Sequence, residues 1–67
     1  MENISQDMLI RQSLLNSIDR EELLMKKYDE YNKFIEDTET KELLKEFQQT
    51  AQEHMVLLKD KLIKLKI

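Results

Sequence analysis

Glu36-Asp37-Thr38-Glu39 interrupts a chain that otherwise carries helical periodicity from end to end. Three acidic residues in four positions oppose the negative pole of a helix C-terminus and suit the N-terminus of a following helix, where free backbone N–H groups attract negative charge. The stretch therefore predicts a tight turn, achieved without glycine, with Asp37 as the second N-cap. The apolar register agrees. Seven residues after Ile35 stands Glu42, whereas the second apolar stripe begins at Leu43 and Leu44, a phase jump that one continuous helix would have to absorb.

Upstream of the turn, Ile10, Leu14, Ile18, Leu24 or Met25, Tyr28, Tyr31 and Ile35 recur at the steps that mark one face of an α-helix. Glu21 is the polar interruption of that stripe. Residues 1–4 are expected to fray, with Asn3 or Ser5 as the first cap and Asn3 with Gln6 at capping-box spacing. Downstream, Leu44, Phe47, Ala51, His54, Leu58 and Leu62 or Leu65 form the inner face of a second helix, widened by Leu43, Met55, Leu57 and Ile63. The lysines of the final segment, Lys59 to Lys66, suit a helix C-terminus. The expected elements are helix 1 over about residues 5–35, a turn over 36–38 and helix 2 over about 38–65.

Composition supports an all-α reading and removes several classes of function. Gly and Pro are absent, and Leu, Glu, Lys, Gln and Met lose little side-chain freedom in a helix. A chain of 67 residues is a single domain, 1–67. At this size one core supplies no more than about 3–5 kcal/mol unless it is reinforced. With no Cys there are no disulfides or thiolate metal sites, leaving self-association or an oxygen- and nitrogen-ligated metal. A net charge of -3 with alternating signs does not make a nucleic-acid surface. The longest apolar runs are too short for a bilayer, and Met1-Glu2-Asn3-Ile4 does not read as a secretory signal, so no membrane partner and a cytoplasmic location are expected. A phosphate loop needs glycine, and the one His has no loop nucleophile beside it; the expectation is no enzyme and no cofactor.

An antiparallel hairpin turning near Asp37 and Thr38 brings together residues whose numbers sum to about 75. Tyr28 then meets Phe47, Leu24 meets Ala51, Glu21 meets His54 and Ile18 meets Leu57, so both polar interruptions share one layer. The aromatic residues Tyr28, Tyr31, Phe34 and Phe47 gather near the turn as core packing, and Met8, Met25 and Met55 read as gap-filling core residues. One facing surface cannot cover so many apolar side chains. The expectation is a homodimer or higher homo-oligomer, most simply two hairpins forming a four-helix bundle, or else a protein partner on the uncovered stripe.

Asp37 to Phe47, followed by Gln52-Glu53-His54-Met55-Val56-Leu57-Leu58, resembles the second helix of the rubrerythrin branch of ferritin-like proteins. Glu21 with Tyr28 seven residues later is similar to that family's first helix. The resemblance spans about residues 10–65, half of a ferritin-like bundle. In the family, the His ligand belongs to a Glu-x-x-His motif; here Ala51 stands three residues before His54, with no donor atom. The resemblance implies a ferritin-like fold with a degraded metal motif, as in the spore coat protein F family, and a structural or interaction role associated with sporulation. Three readings of Glu21 and His54 stand: a polar layer fixing register, a mononuclear metal site with donors from two chains, or two solvated side chains.

Overall fold

The computed structural model describes residues 5–65. The expectations for fraying over 1–4, for an Asn3 cap and for the end of the lysine-rich segment at Lys66 lie outside the described residues. Ser5 is the first N-cap: its backbone is extended and its Oγ accepts from the Met8 N–H at 3.1 Å, satisfying one of the unpaired donors of the first turn. From it runs α1 (Gln6–Asn32), and after the turn α2 (Thr38–Leu65). The two pack antiparallel into a hairpin 51 Å long, 24 Å wide and 13 Å thick.

Helix α1 ends at Asn32, three residues short of the expected 35. The Lys33 N–H donates to the Glu30 carbonyl at 3.2 Å and the Phe34 N–H to Tyr31 at 3.0 Å, a tightening of the last turn to 3₁₀ type. Lys33 remains right-handed, with φ -73° and ψ -24°. The C-cap position of α1 therefore does not call for glycine. Residues 35–37 then cross to α2, where Asp37 caps as expected. Its Oδ2 accepts from the Thr40 N–H at 2.9 Å and from Thr40 Oγ1 at 2.6 Å, and its carbonyl accepts from the Lys41 N–H.

The seam between the helices follows a heptad rhythm. On α2 the inward positions are Leu44, Gln48, Ala51, Met55, Leu58, Leu62 and Leu65, in alternating steps of four and three. On α1 they are Leu14, Ile18, Glu21, Met25, Tyr28 and Asn32. This alternation is what two long helices need to stay in contact as they wind. The inner face of α2 is therefore turned from the one expected. Gln48 and Met55 point in, and Phe47 and His54 stand at its edge. The exchange places a thioether inside and an imidazole at the rim, the cheaper arrangement for a polar ring. On α1, Tyr28 and Asn32 face inward and leave Tyr31 exposed, while Phe34, in the turn, is 80% exposed. Met8 is exposed too, not core. Of the four aromatic residues, Tyr28 and Phe47 pair, with ring centroids 6.0 Å apart and planes tilted by 49°.

Among the described residues only Ile18 and Ala51 are buried. Two helices cover one stripe on each other and no more, so the hairpin alone has a thin core. Among the described residues, no helix is long and apolar enough to cross a membrane.

Candidate functional site

Midway along the seam Glu21 and His54 come together, as the antiparallel register requires. The His54 Nδ1–H donates to Glu21 Oε1 at 2.8 Å. A carboxylate oxygen only accepts, so Nδ1 holds the proton of this contact and Nε2 is left as the ring's other polar atom. The two partners are unequally covered: the Glu21 side chain is 15% exposed and the His54 side chain 54%. Glu21 stands in the seam, and His54 closes over it from the rim.

The distance bears on what this pair can do. Two donors bound tetrahedrally to one zinc at about 2.0–2.2 Å lie about 3.4 Å apart, whereas Nδ1 and Oε1 are 2.8 Å apart. They hold each other. In this geometry Glu21 orients the imidazole, and His54 Nε2 and Glu21 Oε2 stand outside the bond between them. Among the described residues no three His, Cys, Asp or Glu side chains gather as a metal would require. Ala51, 4% exposed, occupies the seam one turn before His54. Its methyl group fills the place where the resemblance would put a carboxylate.

Two further polar residues belong to the seam and were not expected there. Asn32 Nδ2 donates to the Lys41 carbonyl at 3.4 Å, and Gln48 Nε2 donates to the Met25 carbonyl at 3.5 Å. Both tie one helix's side chain to the other helix's backbone. Asn32 Oδ1 is buried without a hydrogen-bond partner. The signal for both was present: the four-three count from Tyr28 reaches Asn32, and the same count from Ala51 back to Leu44 passes through Gln48.

The two halves of the hairpin differ in charge. Residues 21–54, the closed half, hold ten Asp and Glu against five Lys and Arg. Residues 5–20 and 55–65, the open half, hold five Lys and Arg against three Asp and Glu. Near the turn, Glu39, Glu42 and Glu46 surround Leu43 in a shallow depression. Hydrogen bonds from the Thr40 hydroxyl and N–H hold the Asp37 carboxyl below its ordinary value of 3.8.

No family model, curated protein or solved structure matches the chain. What stands is an antiparallel two-helix hairpin with a polar pair at its middle and apolar side chains left uncovered.

Proposed function

We propose that this hairpin is a non-catalytic structural or interaction unit, ferritin-like in kind, that works by completing its core against another helical surface. The observation that carries this reading is the set of large apolar side chains on the outside of a hairpin with a thin core: Tyr31, Leu43, Phe47 and Leu57 are all exposed. Exposed apolar area of this extent is costly in water and marks an interaction surface. A homodimer forming a four-helix bundle is the simplest assembly that covers it. Light scattering or sedimentation at micromolar concentration tests it, with an assembly of at least twice 8.1 kDa expected. A monodisperse monomer removes the self-assembled bundle and turns the reading to docking on a different protein.

The sporulation-associated role implied by the resemblance to the spore coat protein F family is a proposal within this reading. Following the tagged chain through spore formation tests it. Absence from the developing spore removes that context and leaves the interaction role intact. The rubrerythrin-like alternative, a metal held through Glu21 and His54, draws its support from their juxtaposition at mid-seam. Metal analysis of protein purified without chelator, with melting in the presence and absence of zinc or ferrous iron, decides it. No bound metal and no shift would eliminate it.

A further inference from the structure

The side of the hairpin that holds the uncovered apolar residues also holds charge of one sign. In an antiparallel helix pair, the residue preceding each seam position falls on the same broad face of both helices, and the His54 hydrogen bond and the Tyr28–Phe47 pair sit on that side. The face so defined carries Leu24, Tyr31, Leu43, Phe47 and Leu57. It also carries Arg20, Lys27, Lys61 and Lys64, all exposed, and among the described residues no exposed acid. The acids lie elsewhere. Glu39, Glu46, Glu53 and Asp60 follow the outer edge of α2 at steps of seven, and Asp19, Glu22 and Asp29 stand on the opposite face. A chain of net charge -3 thus presents a positive face.

We infer that this face receives one amphipathic helix of a different protein, apolar along its inner stripe and rich in Glu and Asp on both flanks, lying in the groove between α1 and α2. This rests on the interaction reading above and names the chemistry of the occupant. A helix in a groove is held by apolar anchors at helical spacing. On α1 these are Leu24 and Tyr31, seven residues apart, and on α2 they are Leu43, Phe47 and Leu57. Bases meet the flanks. Arg20 and Lys27, also seven residues apart, edge the groove along α1 at a spacing of about 10 Å. Lys61 and Lys64 stand on α2 toward the open end. Lys64 already holds Asp60 at 2.9 Å, so Arg20, Lys27 and Lys61 carry most of the attraction.

Charge decides between occupants. A second copy presenting the same face sets four bases against four, with no exposed acid on either side. Self-assembly then covers the apolar residues against repulsion, whereas an acidic helix covers them with attraction and displaces the second copy. A lipid surface would also supply anionic groups. However, His54 and Lys61 stand in the row nearest the seam, where hydrocarbon would strip them of water. A helix can set a polar flank against them.

The probe is a synthetic helix of 28 residues, the length of α2, with leucine along one stripe and glutamate on both flanks; its counterpart has glutamine for glutamate. Fluorescence anisotropy measures binding, and far-UV circular dichroism checks that each variant is folded. The expected result is one glutamate helix bound per hairpin, more weakly as salt is raised, and weaker binding of the glutamine helix. Arg20→Glu with Lys27→Glu is expected to weaken the glutamate helix by about tenfold and to leave the glutamine helix unaffected. Lys26→Glu with Lys45→Glu makes the same change of net charge on the opposite face and is expected to change neither. Equal loss in both variants would show attraction to net charge alone, and equal binding of the two helices would show an apolar contact without charge selection; either overturns the inference. So does binding of phosphatidylserine vesicles without binding of the glutamate helix, which would give the face to a lipid surface. Sedimentation separates this inference from the reading it rests on. A hairpin that self-assembles and ignores the glutamate helix sinks the inference and leaves that reading standing, whereas a monomer that takes the helix supports the inference and removes only the self-assembled bundle.

Discussion

Removing His54 is expected to destabilise the hairpin more than removing Glu21, although both substitutions break the same 2.8 Å hydrogen bond. The inequality comes from what each leaves behind. His54→Ala strands a carboxylate that is 15% exposed in the apolar seam. The cost is one net hydrogen bond plus part of the desolvation of a polar group, together about 2 kcal/mol. Glu21→Ala leaves an imidazole that is 54% exposed, to which water replaces the lost partner. It also takes a polar group out of the seam, so its cost is about 0–1 kcal/mol. The double variant is expected near the Glu21→Ala value, because the stranded carboxylate is gone. The coupling between the two sites then equals the His54→Ala cost, about 2 kcal/mol. Urea unfolding followed by far-UV circular dichroism measures all four proteins at one protomer concentration, since assembly makes stability concentration-dependent. A Glu21→Ala cost equal to or above that of His54→Ala would refute the reasoning, because it would mean that the carboxylate is not the desolvated member.

Three other substitutions probe the seam and its caps. Asn32→Leu is expected to stabilise by about 1 kcal/mol, since it removes the buried unpartnered Oδ1 and loses only the long bond to the Lys41 carbonyl; a fall in the urea midpoint would show that this bond locks the closed end. Ala51→Leu, at a position 4% exposed, overpacks the closest approach of the helices, and a loss of about 1–3 kcal/mol is expected in the same assay. The Asp37 cap gives a pH dependence. Its folded pKa lies below the ordinary 3.8, so the unfolded chain takes up the proton first as pH falls. Its stabilisation is full above 3.8 and lost as pH drops through the depressed value. Comparing Asp37→Asn with the parent well above and well below 3.8 is expected to show a parent advantage only at the higher pH.

The turn, the antiparallel pairing and the mid-seam layer were legible in the sequence because each rests on one-dimensional signals that reinforce one another. The acidic cluster at 36–39 marked the start of a helix, and the phase jump between Ile35 and Leu43 marked a break. Once the turn was placed, the register followed, and with it the contacts of Glu21 with His54 and of Tyr28 with Phe47. The end of α1 was less legible. Glu30 to Ile35 contains no Gly or Pro to mark a stop, and the helix ends at Asn32 where three amides fold back onto the carbonyls of Glu30 and Tyr31. That choice depends on where α2 has to begin.

The rotation of α2 was not legible, for a physical reason. A stripe through Leu44, Phe47, Ala51, His54 and Leu58 and a stripe through Leu44, Gln48, Ala51, Met55 and Leu58 share three members and use the same steps. Periodicity therefore cannot rank them. The hairpin takes the second, exchanging Phe47 for Gln48 and His54 for Met55 at the seam. Gln48 is tolerable there because its amide finds the Met25 carbonyl. The consequence reaches beyond the seam: the same rotation that moves His54 to the rim also turns Phe47 and Leu57 outward, beside Leu43. Apolar area that a single hairpin could have kept for its own core is placed where only a second surface can cover it. The thin core and the apolar face are thus one choice seen from two sides. A variant with Gln48→Leu and Phe47→Gln, which moves apolar character from face to seam, is expected to raise the stability of the isolated hairpin while weakening its assembly. Sedimentation and urea unfolding of the same samples check both halves, and a variant that gains or loses the two properties together would break the link between them.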